Sequence, residues 1–263
     1  EFSFKEWGEI IKFCKKKKIK FLTFLFSVKS YHLLKPFGIN TWKIGSGEFF
    51  SEDLLNELIK EKQNLIISTG MSTSNDIERL NTKLKKRKIK YSLLQCVSSY
   101  PSEIKKTGIN IINELRDKYA VPTGLSDHSG SIYPALLALA LGANIVEVHI
   151  TENKNDGLPD STSSIDLNEL KLLVAAKKNF VLMLKNKIKK NKLSLTQKTN
   201  KRLFTKSATL INPIKKGQTI KYDNIVFKKP GFGYSYNDLS KIINTKAKID
   251  IESNILIKKK HFK

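Results

Sequence analysis

Short apolar stretches typical of buried strands recur along the first part of the chain, and stretches with helical spacing separate them. The six stretches are Phe21–Phe26, Trp42–Gly45, Leu65–Thr69, Ser92–Val97, Thr123–Ser126 and Ile145–Ile150. Helical spacing is found in Glu6–Phe13, after Ser51, from Ser74, around Ile109–Leu115, in Ser131–Leu141 and from Asp166. This alternation predicts an α/β fold with a parallel sheet, because parallel strands need a crossover that is usually a helix.

The polar residues at the strand ends distinguish two architectures, a doubly wound open sheet and a closed (β/α)8 TIM barrel. The later stretches end in Lys43, Ser46 and Glu48; Ser68; Ser98; Ser126 and His128; and Glu147 and His149. An open sheet usually gathers its chemistry at one switch point, whereas a barrel gathers it from the carboxyl ends of many strands. The pattern favours the barrel. Since six strand-helix units are visible, we expect the first two units of the barrel to precede Glu1.

Two of the four histidines end consecutive predicted strands, in Ser126-Asp127-His128 and Glu147-Val148-His149. Neighbouring strands lie about 5 Å apart, so the two imidazoles could share one divalent ion. Two neutral nitrogen ligands leave positions open for water and substrate, as a catalytic metal requires. The alternative is that each histidine is an ordinary hydrogen-bonded residue of the barrel.

One lysine and four serines also end predicted strands: Lys43, Ser46, Ser68, Ser98 and Ser126. A cation surrounded by hydroxyls is suited to a small phosphorylated or carboxylated molecule. Taken singly, each serine is better explained as a hydroxyl that only satisfies a turn, and it is their recurrence at successive strand ends that favours a binding site. Glu48 is a candidate acid, base or hydrogen-bond acceptor, and Cys96 is interpreted as a buried structural residue.

The chain is strongly basic, with 48 Lys+Arg against 24 Asp+Glu, and 21 of the basic residues but only 4 acidic ones lie in residues 183–263. Only four of the basic residues are arginines, the residue preferred for reading bases and clamping phosphates. We therefore interpret the lysines as solvated surface and expect no nucleic-acid partner. A basic interaction module that binds an anionic polymer in a salt-dependent way is the competing interpretation.

Domain boundaries follow from the same charge distribution. A barrel domain is predicted over residues 1–182, a basic linker over 183–205 and a small domain over 206–263. No apolar run approaches the length of a membrane span. Two cysteines are too few for a disulfide scaffold, so a cytoplasmic protein is expected.

Five ordered motifs resemble the sialic acid synthase (N-acetylneuraminate synthase) family, which includes spore-coat polysaccharide synthases. They are Lys43-Ile44-Gly45-Ser46-Gly47-Glu48, Ile67-Ser68-Thr69-Gly70-Met71, Gln95-Cys96-Val97-Ser98-Ser99-Tyr100-Pro101, Gly124-Leu125-Ser126-Asp127-His128 and Glu147-Val148-His149-Ile150-Thr151. Pro213–Ile220 and Lys229–Gly233 resemble the family's antifreeze-like (SAF) domain, a small mostly-β module.

The resemblance implies a transferase with a TIM barrel that condenses phosphoenolpyruvate with an N-acetylated amino sugar, such as N-acetylmannosamine. It implies a divalent ion, typically Mn²⁺ with Mg²⁺ as the alternative, held by His128 and His149. Phosphoenolpyruvate contacts correspond to Lys43, Ser46, Ser68, Ser98 and Ser126, and a carboxylate near the reacting centre corresponds to Glu48. Asp160 and Tyr100 correspond to sugar contacts. The family implies a domain-swapped homodimer in which Lys229 takes the place of an Arg that reaches the partner's sugar.

Two departures limit what the resemblance implies. Phe24 replaces a hydroxyl that the family places near the phosphate, and the family's first two strands, which carry an essential Glu and a phosphate-binding Lys, have no counterpart here. We therefore expect these 263 residues alone to be nearly inactive. A non-catalytic relative that acts in binding or assembly is the alternative to an enzyme.

Overall fold

The computed structural model describes residues 2–262, which divide into two compact units at residues 187 and 188. Each unit has its own core. The predicted linker, residues 183–205, contains the end of one helix and the whole of another.

The first unit contains a six-stranded parallel sheet whose strands lie side by side in chain order. The strands are β1 (Thr41–Ile44), β2 (Asn64–Ser68), β3 (Tyr91–Cys96), β4 (Thr123–Asp127), β5 (Ile145–Ile150) and β6 (Ser164–Ile165). Sequential order is that of a barrel, whereas a doubly wound sheet reverses its order at a switch point. The unit is thus a partial α/β barrel, which confirms the predicted class of fold.

Seven helices accompany this sheet in the described part of the first unit. They are α1 (Phe4–Lys16), α2 (Val28–Leu34), α3 (Glu52–Lys60), α4 (Ser74–Lys86), α5 (Asn110–Tyr119), α6 (Ile132–Ala140) and α7 (Leu167–Lys185). Leu54, Leu55 and Leu58 of α3 are almost fully buried, and each contributes about 2 kcal/mol through burial. All of these helices except α2 are predicted from the sequence.

The prediction of a strand over Phe21–Phe26 is wrong. This segment forms a single parallel bridge between Phe24 and Lys43, held by two backbone hydrogen bonds. It lies beside β1, and no described strand lies on its other side. The sixth strand is instead β6, whose two residues are too short to show a period of two.

The second unit contains α8 (Leu195–Phe204) and an antiparallel pair, β7 (Ser207–Leu210) and β8 (Ile225–Lys228). Isolated antiparallel bridges join further extended segments to one another and to β7. Its core consists of small and aliphatic side chains. Within residues 2–262, no helix combines the length and the apolar character needed to cross a membrane.

Candidate functional site

A pocket of about 410 Å³ lies at the carboxyl ends of β1 to β5. Parallel strands all point their carboxyl ends to the same edge, so side chains from distant parts of the sequence meet there. The lining residues are Phe24, Lys43, Gly45, Ser46, Gly47, Ser68, Met71, Cys96, Ser98, Tyr100, Ser126, His128, Glu147, Val148 and His149. Eight of the eleven site residues predicted from the sequence are among them.

Lys43 on β1 supplies a buried cation to this pocket, with only 4% of the residue exposed. Its Nζ donates to the hydroxyl of Ser68 on β2 at 2.8 Å and to the carbonyl of Ile44 at 3.0 Å, and it lies 3.7 Å from Oε1 of Glu147. Burial lowers the pKa of Lys43 below its usual 10.5, and the carboxylate of Glu147 opposes this shift. The site therefore holds a cation that an incoming anion could stabilise further.

Two more hydroxyls converge above Gly70. Ser46 accepts a hydrogen bond from the Gly70 amide at 3.0 Å. A Cβ at Gly70 would lie 2.7 Å from Oγ of Ser98 and 2.9 Å from Oγ of Ser46, so only glycine leaves room for both. The hydroxyls of Ser46 and Ser98, both in the pocket lining, are the pair of hydrogen-bonding groups that we call the hydroxyl cradle.

Glu147 on β5 joins two of the predicted residues, although the sequence assigned it no role. Its Oε1 accepts from the Ser126 hydroxyl at 3.0 Å and lies 3.7 Å from Nζ of Lys43. The register pairs Ser126 directly with Glu147 across β4 and β5. The register identifies Glu147 as a site residue, and it is known only once the strands are assembled into the sheet.

His128 and His149 lie together at the ends of β4 and β5, with ring centroids 5.2 Å apart. The Val97 carbonyl lies 2.9 Å from Nδ1 of His128 and so fixes the proton on Nδ1, which leaves Nε2 with a lone pair. The hydroxyl of Tyr100 lies 3.0 Å from this Nε2, and its ring stacks on His128 at 4.1 Å. On the other imidazole, Nδ1 of His149 lies 3.7 Å from Oδ2 of Asp160.

The two imidazoles differ in their electrostatic environment. Burial, followed by the charge of His128, lowers the pKa of His149. Burial also disfavours the charged form of His128, but contacts with the Cys96 thiol and the Val97 carbonyl outweigh it and raise its pKa. The pKa values of the two imidazoles are therefore shifted in opposite directions, so His128 takes up a proton more readily than His149.

The donor set fits a divalent metal ion that takes its remaining ligands from water or substrate. A hydrogen bond from Nδ1 to a backbone carbonyl is the usual way in which a protein orients a metal-binding histidine. No group of three or more His, Cys, Asp or Glu side chains is arranged to hold a metal within residues 2–262. Two imidazoles are therefore the ligands that this site would offer, and the Tyr100 hydroxyl, 3.0 Å from Nε2 of His128, would have to move to admit an ion.

Three predicted residues do not line the pocket. The carboxylate of Glu48 lies against Gly45, where it would come within 2.8 Å of an added Cβ. Asp160 is about half exposed and adjoins the pocket through His149. Lys229 belongs to the second unit, where its ammonium lies 5.5 Å from the centroid of the Phe204 ring.

Phe24 occupies one side of the pocket. Its ring centroid lies 5.1 Å from Nζ of Lys43, within range of a cation–π interaction. An added Cβ at Gly45 would come within 1.8 Å of the Phe24 ring, so the ring packs directly on the backbone there. This aromatic side chain contacts the same lysine that donates to the Ser68 hydroxyl.

Comparisons with known proteins agree with this architecture. The NeuB family matches residues 1–189. An N,N'-diacetyllegionaminic acid synthase of Campylobacter jejuni is 32% identical over 238 residues, which cover 89% of this chain and 71% of that protein. The N-acetylneuraminic acid (sialic acid) synthetase of Leptospira borgpetersenii has 32% identity and a TM-score of 0.70 over 76% of this chain and 70% of its own.

A third similarity extends over the second unit. The putative spore coat polysaccharide biosynthesis protein E of Chromobacterium violaceum has a TM-score of 0.69 and covers 100% of this chain and 79% of its own, at 22% identity. At that identity the comparison supports the fold alone.

Proposed function

Because the chain belongs to the NeuB family, we propose that it is a sugar-acid synthase acting on phosphoenolpyruvate and an N-acetylated amino sugar. The products are a nine-carbon 2-keto sugar acid and inorganic phosphate, for surface carbohydrate synthesis. The observation that carries the proposal is the buried Lys43 ammonium beside a set of serine hydroxyls, in the same pocket as the paired imidazoles.

Phosphoenolpyruvate carries a phosphate and a carboxylate, and the pocket has groups for both. Lys43 supplies the charge, and the hydroxyls of Ser46, Ser68, Ser98 and Ser126 supply hydrogen bonds. Charge-assisted hydrogen bonds to an anion are stronger than those between neutral groups, and a buried site strengthens them further. We propose that these residues hold phosphoenolpyruvate with its reactive carbon 3 toward the histidines.

We propose that His128 and His149 hold Mn²⁺ or Mg²⁺. When bound, such an ion polarises the aldehyde oxygen of the open-chain sugar and orients a water. We propose that Asp160 accepts hydrogen bonds from the sugar's hydroxyls, and its position beside His149 supports this. Tyr100 lines the same side of the pocket and provides a second polar contact.

The reaction balances without any further reagent. Carbon 3 of phosphoenolpyruvate attacks the aldehyde carbon, and the aldehyde oxygen takes up a proton. Water adds to carbon 2, and the resulting tetrahedral centre expels phosphate to leave the 2-keto acid. Lys43 stabilises the departing phosphate, while Glu48, half-buried near Lys43, is the proposed acid or base.

The test is a reaction with protein in excess, followed by mass spectrometry of the sugar acid. The chain is incubated with phosphoenolpyruvate, Mn²⁺ and a panel of amino sugars, and phosphate is measured in parallel. We expect slow formation of a nine-carbon acid by the wild type and none by Lys43→Met. Lys60→Met, which alters an exposed lysine of the same unit, is the matched control and should retain product formation. The proposal would be overturned if no sugar gave a product and the protein also failed to bind phosphoenolpyruvate.

A second candidate function is a non-catalytic relative that binds but does not turn over. Phe24 favours it, because its ring contacts Lys43 and offers no hydroxyl to a phosphate bound there, so that an anion would bind without the contact that the family uses. Phosphoenolpyruvate binding without any product would support this candidate. Replacing Phe24 by Ser should then restore some turnover, whereas Phe26→Ser, at a residue that is 72% exposed, should not.

Further features of the family remain part of this proposal. We propose that the described sheet is part of an eight-stranded barrel, since β6 and the segment at Phe24 are its two edges. The second unit is proposed to be antifreeze-like, and Lys229 to reach the sugar in a homodimer. Light scattering of the protein in solution tests the dimer directly, and a monomer at all concentrations would contradict it.

A further inference from the structure

The second unit contains a groove of about 1260 Å³ that is formed by second-unit residues alone and shares no lining residue with the pocket described above. Six lysines line it: Lys216, Lys241, Lys246, Lys248, Lys258 and Lys259. The one acidic residue in the lining, Asp238, forms an ion pair with Lys241. The other five lysines form no ion pair with any residue between positions 2 and 262.

The backbone that carries these lysines is fixed by the fold. Lys246 and Lys248 flank Ala247, which is 3% exposed and exchanges hydrogen bonds with the turn at Gly217 and Gln218 (2.7 and 2.9 Å). The Lys248 amide donates to the His261 carbonyl at 2.9 Å. Three segments far apart in sequence therefore present their lysines to one concave surface.

The electrostatic consequence appears at His261, which is 3% exposed beneath the same segment. Burial lowers the pKa of its imidazole, and so do the charges of Lys260, which is outside the lining, and of Lys258, which lines the groove. Like charges this close repel one another, and a polyanion that binds in the groove relieves that repulsion.

The groove also exposes an aromatic ring. Phe232 is 52% exposed, while Tyr234 and Phe262 are half-buried and pack edge to face with centroids 6.1 Å apart. A flat apolar ring among cations suits a ligand that combines negative groups with an apolar face. Sugar acids have this combination, because their carboxylates alternate with the C–H faces of the rings.

We propose that this lysine groove binds an acidic polysaccharide, a chain of carboxylated sugars. Its cations are all lysines, and it has no arginine guanidinium to form bidentate hydrogen bonds with phosphates. It exposes one ring rather than the series of rings on which successive bases stack. Both features favour a carboxylate polymer over a nucleic acid. The choice among polyanions rests on the proposed function, because an acidic sugar becomes a polyanion once it is joined into a chain.

The test uses the full chain and a fluorescein-labelled polymer of N-acetylneuraminic acid, with fluorescence anisotropy as the readout. One variant carries Lys246→Gln, Lys258→Gln and Lys259→Gln, inside the groove. The matched control carries Lys189→Gln, Lys190→Gln and Lys192→Gln, which removes the same charge from a segment outside the lining. We expect the groove variant to lose about tenfold or more in affinity and the control about twofold or less. Affinity should fall steeply between about 50 and 200 mM salt.

Three results would overturn the proposal. Equal losses in the two variants would show that the lysines act only through net charge. Tighter binding of an oligothymidylate than of the sugar polymer would assign the groove to nucleic acid. Absence of binding at low salt would leave the lysines as solvated surface.

Phosphoenolpyruvate binding is measured on the same preparations, and the groove variant should retain it. If the wild type binds the polymer but not phosphoenolpyruvate, the proposed function is contradicted and the groove remains a polyanion site. If the wild type binds phosphoenolpyruvate but not the polymer, only the proposal for the groove is contradicted.

Discussion

The ammonium of Lys43 and the hydroxyl of Ser68 lie 2.8 Å apart at the ends of the adjacent strands β1 and β2. Both side chains are at least 95% buried, so the cation has little water around it. This pair places a positive charge at the base of the pocket, where the fold alone does not need one. The cost of burying it is expected to be recovered when an anion binds.

Replacing Lys43 by Met should separate binding from stability. The change removes the cost of burying a charge, but it leaves the Ser68 hydroxyl without its partner, which costs about 1–3 kcal/mol. These effects oppose each other, so the free energy of unfolding in urea should change by less than about 2 kcal/mol. Calorimetric affinity for phosphoenolpyruvate should fall about tenfold or more. A large loss of stability would instead make Lys43 a structural residue.

The pH dependence should reflect the lowered pKa of Lys43. An anion binds the charged ammonium, so phosphoenolpyruvate affinity should decline on the alkaline side before pH 10.5, the usual lysine value. Stability changes in the opposite direction. Between the lowered pKa and 10.5 only the unfolded chain holds this proton, so the free energy of unfolding rises with pH in that window. Urea titrations of wild type and Lys43→Met isolate this contribution, and identical pH profiles would contradict it.

Gly70→Ala should damage the hydroxyl cradle. The added methyl group would lie 2.7 Å from the hydroxyl of Ser98 and 2.9 Å from that of Ser46. We expect about a tenfold loss of phosphoenolpyruvate affinity, comparable to the loss of one or two hydrogen bonds. Gly47→Ala is the control, because its methyl group meets only the Met71 side chain at 3.8 Å. Equal calorimetric affinities for the two variants would remove the cradle from the binding site.

Substituting the histidines should abolish metal binding. His128→Gln and His149→Gln should each weaken Mn²⁺ affinity, which is measured by electron paramagnetic resonance of free Mn²⁺. The loss should exceed the roughly 10- to 100-fold that follows from removing a residue that only hydrogen-bonds to a metal ligand. His32→Gln is the control, since its imidazole lies on the surface beside Glu57. Unchanged Mn²⁺ affinity in the two pocket variants would leave these histidines as ordinary barrel residues.

The sequence predicts the part of the site that local patterns determine. A buried strand followed by a polar residue shows where that residue lies in a parallel sheet, so Lys43, Ser68 and His128 are identified correctly as neighbours in space. Glu147 receives no role, because its contacts with Ser126 and Lys43 depend on the register of the assembled sheet. The same limit applies to the lysine groove, which joins three distant segments.

The error in the predicted strands has an equally physical cause. Phe21–Phe26 has the composition of a strand, but composition does not fix the backbone pairing, and the segment forms only the bridge between Phe24 and Lys43. The role of Glu48 stays a prediction: it follows a strand end, and its carboxylate lies against Gly45, a lining residue, rather than in the pocket lining itself. Composition shows which residues can form a strand or a site, whereas the neighbours of each residue decide the outcome.

The most direct test of the central claim is the phosphorus resonance of phosphoenolpyruvate in the presence of the protein and Mn²⁺. If Lys43 and the hydroxyls share one site with the histidine pair, bound Mn²⁺ broadens the resonance of bound phosphoenolpyruvate. The broadening should disappear in His128→Gln and in Lys43→Met and persist in Lys60→Met. Binding of both ligands without broadening, or broadening that persists in His128→Gln, would contradict a single combined site.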